Sequence, residues 1–305
     1  MLQPLQPGQH PGPSPQALGT WGRLKRRVRR WVRRVTGAKR REHEALVAAQ
    51  KADERALAAP ERALREEVGI DPVQHTGPTW TRRGPPDPRG LVPRLEQAVA
   101  QALSPSPPLA PEVRALEGMS GQRYRALVGA LLAQLPGARY LEVGSWLGST
   151  ACAALHGNHA HGLCIDNWSL FAGPKDEFLR TMQALVQPPA SWEHLEADFR
   201  AVDYTRLGCF DVYLFDGPHG RQDQHAGVLL AQPALAPTCV LVVDDWNWAQ
   251  VRLGTLEALR DLGAELHACL EVRTSLDGTH GEPRGRDSDW HNGYFVAVVS
   301  KRAAT

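Results

Sequence analysis

Residues 140–150, YLEVGSWLGST, decide the fold that this chain is expected to adopt. The first four residues predict a short apolar strand, and Gly144 and Gly148 allow the backbone to approach a ligand closely. Ser149 or Thr150 can begin the helix that follows. A strand that runs through a glycine turn into a helix is where α/β proteins hold a nucleotide-like cofactor.

The spacing of the glycines narrows the kind of ligand. A dinucleotide-binding turn has the pattern G-x-G-x-x-G, so that a pyrophosphate can lie on the helix N-terminus. This turn has the pattern E-x-G-x-x-x-G and carries an acid, Glu142. A carboxylate at this position favours a cationic ligand over a pyrophosphate.

From about residue 111 onward, helical and strand patterns alternate along the chain. The strand segments are ARYLEVG, HGLCIDN, the short HLEADF, FDVYLFD, TCVLVVDD, ELHACLEVR and NGYFVAVVSK. The helical segments are RYRALVGALLAQL, STACAALHG, DEFLRTMQALV, QHAGVLLAQPAL and TLEALRDLG. This alternation predicts a doubly wound α/β domain with a mostly parallel sheet covered on both faces. In such sheets the ligand lies beyond the carboxyl ends of the strands.

The N-terminal part differs in composition. Residues 1–20 are rich in Pro, Gln and Gly, which predicts disorder, and 21–68 form a basic helical arm. Within that arm, 21–41 place apolar residues at helical spacing opposite arginines, which suits an anionic membrane surface, nucleic-acid phosphates, a partner protein or only solvent. A Pro/Gly-rich linker or wrapping segment is predicted over 69–110, and a catalytic domain over 111–303.

Charge and cysteine usage bear on location. The net charge of +2 hides an acidic body, because the first 41 residues contain only basic charges. Five widely spaced cysteines, with no CxxC pair, indicate buried thiols in a reducing compartment. No apolar run is long enough for a membrane span or a secretory signal, so a cytoplasmic location is expected, with peripheral membrane contact through the arm as an option.

Two acids are candidates for nucleoside recognition. Asp166 closes the second strand about 20 residues after the glycine turn, where a carboxylate can accept both hydroxyls of a ribose. A helix cap or a solvent-facing loop acid is the alternative. Asp198 follows the third segment and could hold an adenine amino group, although a turn role suits it nearly as well.

Three further acids follow buried strands. Asp216 ends FDVYLFD, and the Asp244–Asp245 pair ends TCVLVVDD, so the three carboxylates are expected to converge at one edge of the sheet. Clustered like charges call for a divalent cation, and Mg²⁺ or Mn²⁺ suits oxygen ligands better than zinc does. The alternative is that these acids orient turns and cap helices.

A general base is expected near the same edge. His219, three residues after Asp216, could take a proton from an acceptor hydroxyl, with His225 and His291 as weaker candidates. Several tryptophans near loops at this edge could form the wall of a substrate pocket or pack beneath those loops. They are Trp146, Trp168, Trp246, Trp248 and Trp290.

The segments LEVGSWLGST, CIDNWS, FDGPHG and VVDDWN together resemble class I S-adenosylmethionine-dependent methyltransferases, over about residues 111–302. Within that class they are similar to the metal-dependent O-methyltransferases of the catechol and macrocin types. The resemblance implies a Rossmann-like sheet of seven strands with an antiparallel last strand. It also implies a catalytic base at His219, and metal ligands at Asp216, Asp244 and Asp245. The implied cofactor-binding residues are Glu142, Gly144, Ser145, Gly148, Ser149, Asp166, Asn167 and Asp198.

The details favour the macrocin-like type. The catechol type has a lysine at the base position and an asparagine where Asp245 stands, and CIDNWSLFAGPKDEFL resembles bacterial macrocin-like members. The expected acceptor is therefore a hydroxyl of a sugar-like or natural-product small molecule. Two alternatives remain open, namely a metal-dependent hydroxylase of the cephalosporin-hydroxylase kind and a non-catalytic nucleoside-binding protein tethered by its arm. A nucleic-acid base methyltransferase is disfavoured, because the turn after the fourth strand is DGPHG rather than [DNS]-P-P-[FYW].

Overall fold

A computed structural model describes residues 44–83, 86–170 and 173–301, which fall into two compact units, Met1–Ala49 and Gln50–Thr305. In the first unit, residues 44–49 are helical. The predicted disordered segment and the amphipathic stretch at 21–41 lie outside the described residues. Among the helices that are described, none is both long and apolar enough to cross a membrane.

The second unit is built on one eight-stranded sheet. Its strands are β1 (Gly77–Arg82), β2 (Ala138–Val143), β3 (Ala160–Asp166), β4 (Ser191–Glu196), β5 (Phe210–Phe215), β6 (Leu235–Val243), β7 (Glu265–Arg273) and β8 (Tyr294–Ser300). The strand order is β1-β7-β8-β6-β5-β2-β3-β4. Strands β2 to β6 pair in parallel, whereas β8 is antiparallel to both β6 and β7.

The number of strands corrects the expectation of seven. The additional strand is β1, which pairs antiparallel with the outer side of β7. The predicted antiparallel last strand is present as β8, which lies between β6 and β7. The fold is therefore a Rossmann-like, mostly parallel α/β sheet that is extended at one edge.

Helices cover both faces of the sheet. They are α1 (residues 50–68), α2 (Leu91–Ala102), α3 (Pro111–Arg114), α4 (Gln122–Ala133), α5 (Ser149–Leu155), α6 (Lys175–Leu185), α7 (Arg221–Ala231) and α8 (Ala249–Asp261). Short 3-10 helices cover Phe199–Ala201, Tyr204–Arg206, Gln232–Ala234 and Gly285–Asp287. Because successive side chains of a strand point to opposite faces, Tyr140 and Leu141 enter two different apolar clusters. The near-continuous apolar runs of the central strands reflect this two-sided burial.

Residues 69–110, predicted to be a linker or a wrapping segment, contain β1 and α2. In α2, Leu91, Leu95 and Val99 recur at a spacing of four residues and are buried in the core beside α4. Asp87 caps the helix, because its carboxylate accepts hydrogen bonds from the Leu91 and Val92 amides at 2.7 and 2.9 Å. The prolines of this segment therefore mark the ends of elements rather than an unstructured connection.

The predicted arm also ends earlier than expected. Residues 50–68 belong to the same unit as the sheet, and Leu64 is buried in the apolar cluster beneath β5 and β6. Glu61 and Arg65, on the same side of α1, are also buried. A buried carboxylate and guanidinium require partners of opposite charge, so this part of the helix is a structural component of the domain.

The order of the strands defines where a ligand can bind. From β2 the chain passes to β3 and β4 on one side, and then returns to place β5 on the other side of β2. The switch point thus lies between the carboxyl ends of β2 and β5. Crevices at such points are the usual ligand sites of open α/β sheets.

Candidate active site

The glycine turn after β2 lies directly against the end of β5. Gly144 has φ 90°, and a Cβ atom added there would lie 1.9 Å from the backbone oxygen of Asp216. Gly148 has φ 82°, and an added Cβ would approach the ring of Phe178 at 3.0 Å. Only glycine satisfies both the left-handed conformation and the close contact at residue 144. The backbone of the glycine turn is therefore in direct contact with the backbone at the end of β5, and no side chain at residue 144 blocks a ligand.

Asp166 lies beside this turn and ties it to the loop after β3. Its two carboxylate oxygens accept hydrogen bonds from the amides of Trp146 and Trp168, at 2.8 and 2.7 Å. The indole of Trp168 in turn donates to the Trp146 carbonyl at 2.9 Å. Each carboxylate oxygen keeps a second lone pair, so the half-buried Asp166 can still accept a ligand hydroxyl.

The two other residues expected to bind the nucleoside, Asp198 and Asn167, form hydrogen bonds with nearby residues in the sequence. Asp198 is exposed and accepts a hydrogen bond from the Arg200 amide at 2.9 Å, which caps a 3-10 helix. Asn167 is also exposed, and its side-chain oxygen accepts from the amide and hydroxyl of Ser169. The turn role anticipated as an alternative for Asp198 is thus observed in its contacts.

Glu142 is almost completely buried beneath the glycine turn, with 1% of its surface exposed. The Tyr140 hydroxyl donates a hydrogen bond to its carboxylate. Burial raises the Glu142 pKa from 4.5 to about 7, and the nearby charge of Asp166 adds to this rise, whereas the Tyr140 hydrogen bond opposes it. A cation bound beside Glu142 would favour its ionised form.

The raised pKa of Glu142 predicts a specific dependence of stability on pH. The folded state holds this proton more tightly than the unfolded chain, so stability is full below about pH 4.5 and falls as the pH rises through about 7. The change corresponds to about 3 kcal/mol. Denaturant unfolding of the wild type and of Glu142→Gln at pH 5 and pH 8 measures it. Between these two pH values, we expect the free energy of unfolding of the wild type to fall further than that of Glu142→Gln, by most of this amount. Equal falls in the two proteins would contradict the raised pKa of Glu142.

The two serines of the turn are buried. Ser149 Oγ lies 3.1 Å from Ser120 Oγ, and Ser120 also accepts a hydrogen bond from Arg125 Nε at 2.9 Å. Ser145 Oγ lies against the Glu142 carboxylate, where it opposes the rise of that pKa. Both hydroxyls of the turn are therefore in contact with neighbouring side chains.

A cluster of titratable groups lies at the ends of β5 and β6. One ligand atom each from Asp216, His219 and Asp245 falls within 4.8 Å of the others. The Nε2 atom of His219 lies 3.0 Å from Asp245 Oδ2. Asp244, the other predicted metal ligand, is outside this group, and its Oδ1 accepts the Asp245 amide at 2.6 Å. The structure thus brings the predicted base together with two of the three predicted ligands.

The acids of this cluster affect one another's protonation. Burial, followed by the charges of Asp244 and Asp245, raises the pKa of Asp216 well above its usual range. Burial and the charge of Asp245 do the same to the pKa of Asp244. Carboxylates this close cannot all be ionised without a neutralising proton or cation.

Two tyrosines that the sequence did not single out lie beside the acids. The rings of Tyr124 and Tyr294 stack with centroids 3.4 Å apart, and both side chains are fully buried. Burial, with a further contribution from Asp244, raises the pKa of both hydroxyls well above the usual range. The Tyr294 hydroxyl lies against Asp244 and favours its ionised form, whereas the Tyr124 hydroxyl has no hydrogen-bond partner among the described residues.

Asp245 is held in an unusual backbone conformation, with φ 55°. Asn292, at the end of the β7–β8 loop, donates to Asp245 Oδ1 at 2.7 Å, and the Asn292 side-chain oxygen lies 3.0 Å from His280 Nδ1. Sequence reasoning missed Asn292 because it is 47 residues from Asp245 along the chain. In the sequence, Asn292 is only the polar first residue of the predicted strand segment NGYFVAVVSK.

The weaker base candidates have other partners. His225 Nε2 lies 2.9 Å from Asp261 Oδ2, which joins α7 to α8. His291 is buried, its Nδ1 accepts the Gly285 amide at 2.9 Å, and burial lowers its pKa. Both histidines therefore have structural partners of their own, and neither is needed as the general base.

The tryptophans divide between core and site. Trp246 is fully buried and stacks on Phe295, and Trp168 and Trp290 are buried as well. Trp248 is half-buried and forms a T-shaped contact with the His219 ring, with centroids 5.0 Å apart. Trp248 is thus the tryptophan closest to the expected role of a pocket wall.

Comparison with known proteins points to the same region of the chain. Residues 141–246 match the model of a methyltransferase domain. This methyltransferase match includes every predicted cofactor-binding, metal-binding and catalytic residue, from Glu142 to Asp245. It leaves out Tyr124, Asn292 and Tyr294, which lie beside the acids in the structure. No curated protein matches the chain.

Solved methyltransferase structures resemble the fold at low sequence identity. TrmN from Thermus thermophilus is 20% identical with a TM-score of 0.40, and the alignment covers 62% of this chain and 52% of TrmN. The O-methyltransferase TomG from Streptomyces achromogenes, solved with SAM and involved in tomaymycin synthesis, is 13% identical with a TM-score of 0.39. That alignment covers 72% of this chain and 92% of TomG. The chain therefore spans about half the length of the first of these structures and most of the second.

Proposed function

We propose that this protein is an S-adenosylmethionine-dependent methyltransferase that acts on a hydroxyl of a sugar-like or natural-product small molecule, with Mg²⁺ or Mn²⁺ bound at the site. The observation that carries the proposal is the pairing of His219 with Asp245 beside Asp216. His219 follows β5, whose end adjoins the glycine turn, and Asp245 follows the neighbouring strand β6. The methyltransferase-domain match over the same residues supports it.

The glycine turn fits the proposed cofactor. Because Gly144 has no Cβ, the cofactor can approach the backbone of the turn closely. The buried Glu142 carboxylate suits a cationic group better than a phosphate. Asp166 has lone pairs left for ribose hydroxyls. When bound, S-adenosylmethionine supplies an electrophilic methyl group. The turn, Glu142 and Asp166 would hold and orient it.

The acid cluster fits a divalent cation. Asp216 and Asp245 offer carboxylate oxygens within 4.8 Å of each other, with Asp244 adjacent. Burial and the neighbouring carboxylates raise the pKa values of Asp216 and Asp244 because they disfavour the charged forms, and a bound cation would relieve this. Oxygen-rich ligand sets favour Mg²⁺ or Mn²⁺. When bound, the cation supplies Lewis-acid polarisation of the acceptor.

His219 acts as the general base in this proposal. Its Nε2 donates to Asp245, which leaves Nδ1 as the nitrogen that accepts a proton, and Nδ1 has no protein partner among the described residues. The tautomer follows from this hydrogen bond. Asp245 orients the ring and stabilises the imidazolium after proton transfer. An alcohol needs such a base more than an acidic catechol does, which favours an aliphatic hydroxyl acceptor.

Methyl transfer from isotopically labelled S-adenosylmethionine to a panel of hydroxyl compounds, with Mg²⁺ or with a chelator, tests the proposal. We expect Asp216→Asn to abolish the metal-dependent turnover and to leave cofactor affinity within about threefold, because Asp216 is assigned to the cation and not to the cofactor. Asp261→Asn, which removes an exposed acid on α8, is the control and should behave as the wild type. Activity that survives both Asp216→Asn and the chelator would refute the metal site, and turnover that requires oxygen would indicate the hydroxylase alternative.

The predicted partners of the N-terminal arm concern residues outside the described part of the chain. Contact of 21–41 with an anionic membrane or with nucleic acid remains a prediction from the sequence, as does the cytoplasmic location. The residues assigned to the cofactor, the cation and the base lie between Glu142 and Asp245, outside this arm.

A further inference from the structure

Arg252 of α8 connects helix α1 to the loop that follows β6. Its Nε and one terminal nitrogen donate to the two oxygens of Glu61 at 2.9 and 2.8 Å, and the same terminal nitrogen contacts Glu54 at 2.7 Å. Its other terminal nitrogen donates to the backbone oxygens of Trp246 and Asn247 at 3.1 and 2.7 Å. One fully buried guanidinium therefore joins two acids of α1 to the two peptides directly after Asp245.

The same group of charges also holds the Trp246 side chain. The Trp246 indole donates to Glu271 Oε2 at 2.6 Å. Arg65 binds both oxygens of Glu271 at 2.8 and 2.7 Å, and its Nε donates to Glu61 at 2.8 Å. Glu61 thus contacts both arginines. Arg252 binds the backbone of this loop, and Arg65 holds its Trp246 side chain through Glu271.

The loop needs such support because of Asp245. A non-glycine residue at φ 55° adopts a conformation that its surroundings must impose. The amides of Trp246 and Asn247 donate to the backbone oxygens of Gly293 and Asn292 at 3.1 and 2.8 Å. With the carbonyls held by Arg252, both sides of these peptides are bound. The orientation of Asp245 toward His219 therefore depends on contacts that begin at α1.

We propose that Glu61 is a positioning residue for the active site. Through Arg252 it fixes the peptides after Asp245, and so it sets where the Asp245 carboxylate meets His219. Helix α1 lies upstream of the residues that match the methyltransferase domain, yet it completes the support of the catalytic loop. The consequence for turnover rests on the function proposed above, whereas the consequence for the loop does not.

Removing the Glu61 charge should release the loop. Without that carboxylate, two nitrogens of Arg252 lose their strongest partner, and a buried guanidinium moves toward any remaining acid or toward water. The nearest remaining acid is Glu54, whose side chain is more exposed. A shift in that direction would draw Arg252 away from the Trp246 and Asn247 carbonyls.

Hydrogen–deuterium exchange on the full chain tests this, with Glu61→Gln compared with Glu257→Gln. Glu257 lies on α8, as Arg252 does, and pairs with Arg221 rather than with Arg252, so it is a matched control. We expect exchange at residues 244–248 to be at least tenfold faster in Glu61→Gln than in Glu257→Gln. Exchange in β2 and β3 should be unchanged, because a general loss of stability would accelerate those strands as well.

A second variant keeps the proposal falsifiable if Glu61→Gln does not fold. Glu54→Gln leaves the contacts of Glu61 with both arginines intact, and should accelerate the loop in the same direction by a smaller factor. In an active preparation, Glu61→Gln should lower kcat at least tenfold with the dissociation constant for S-adenosylmethionine unchanged. Exchange at 244–248 equal to that of Glu257→Gln in both variants would overturn the proposal. A wild type that transfers no methyl group would refute the function but not the exchange result.

Discussion

Replacing His219 with glutamine should lower kcat for methyl transfer about 10²–10⁴-fold, the usual contribution of a positioned general base. Glutamine is of similar size and can still donate a hydrogen bond to Asp245, so the loop should remain in place. It cannot accept the acceptor proton. The substitution should therefore slow the chemical step and leave cofactor binding unchanged.

The measurement is a comparison of His219→Gln with His225→Gln by turnover and by calorimetric titration with S-adenosylmethionine. His225 is the control because it lies on α7, pairs with Asp261 and has no place in the proposed reaction. Its variant should keep wild-type turnover. A pH–rate profile gives a further check, since the ascending limb assigned to the base should disappear in His219→Gln. Turnover within threefold of the wild type would exclude His219 as the base.

The second large effect is expected at the glycine turn. Alanine at residue 144 would require a left-handed backbone for a residue with a Cβ, and would place that Cβ 1.9 Å from the Asp216 carbonyl. The carbonyl belongs to the end of a central strand and cannot move without disturbing the sheet. We expect Gly144→Ala to lose cofactor binding and to be destabilised by about 3 kcal/mol or more, through conformational strain and overpacking together.

Gly137→Ala separates these two causes. Gly137 also has a positive φ, 83°, but a Cβ added there meets nothing within 4 Å. Its alanine variant should therefore show only the conformational cost, about 1–2 kcal/mol, and should bind the cofactor normally. The difference in the free energy of unfolding between the two variants measures the close approach of β2 and β5. Equal stabilities with intact cofactor binding would contradict the proposed cradle.

The strands and helices after residue 111 were predictable because each carries a strong local pattern. Strands β2, β3, β5 and β6 are mostly apolar runs bounded by turns, and their parallel arrangement follows from the helices between them. Strand β1 was not predictable in the same way. It has six residues, is only partly buried and lies between prolines, so its strand character depends on pairing with β7, which is about 190 residues away.

The candidate site was predictable to a similar degree. Acids that end neighbouring parallel strands must meet at one edge, which is why Asp216 and Asp245 were found together with His219. The contributions of Tyr124, Tyr294 and Asn292 depend on how α4 and the β7–β8 loop pack against that edge. Aromatic residues in apolar segments normally indicate core, and local sequence does not reveal an unpartnered hydroxyl.

The position of β1 and α1 has a consequence for how related sequences can be exchanged. The methyltransferase-domain match begins at residue 141. A chimera joined there would take β1 and the acids of α1 from one parent, and would take β7 and Arg252, which they contact, from the other parent. The ion pairs of Arg252 and Arg65 would survive only if both parents matched at each position. A crossover upstream of residue 50 avoids this, because it transfers both halves of every buried pair together.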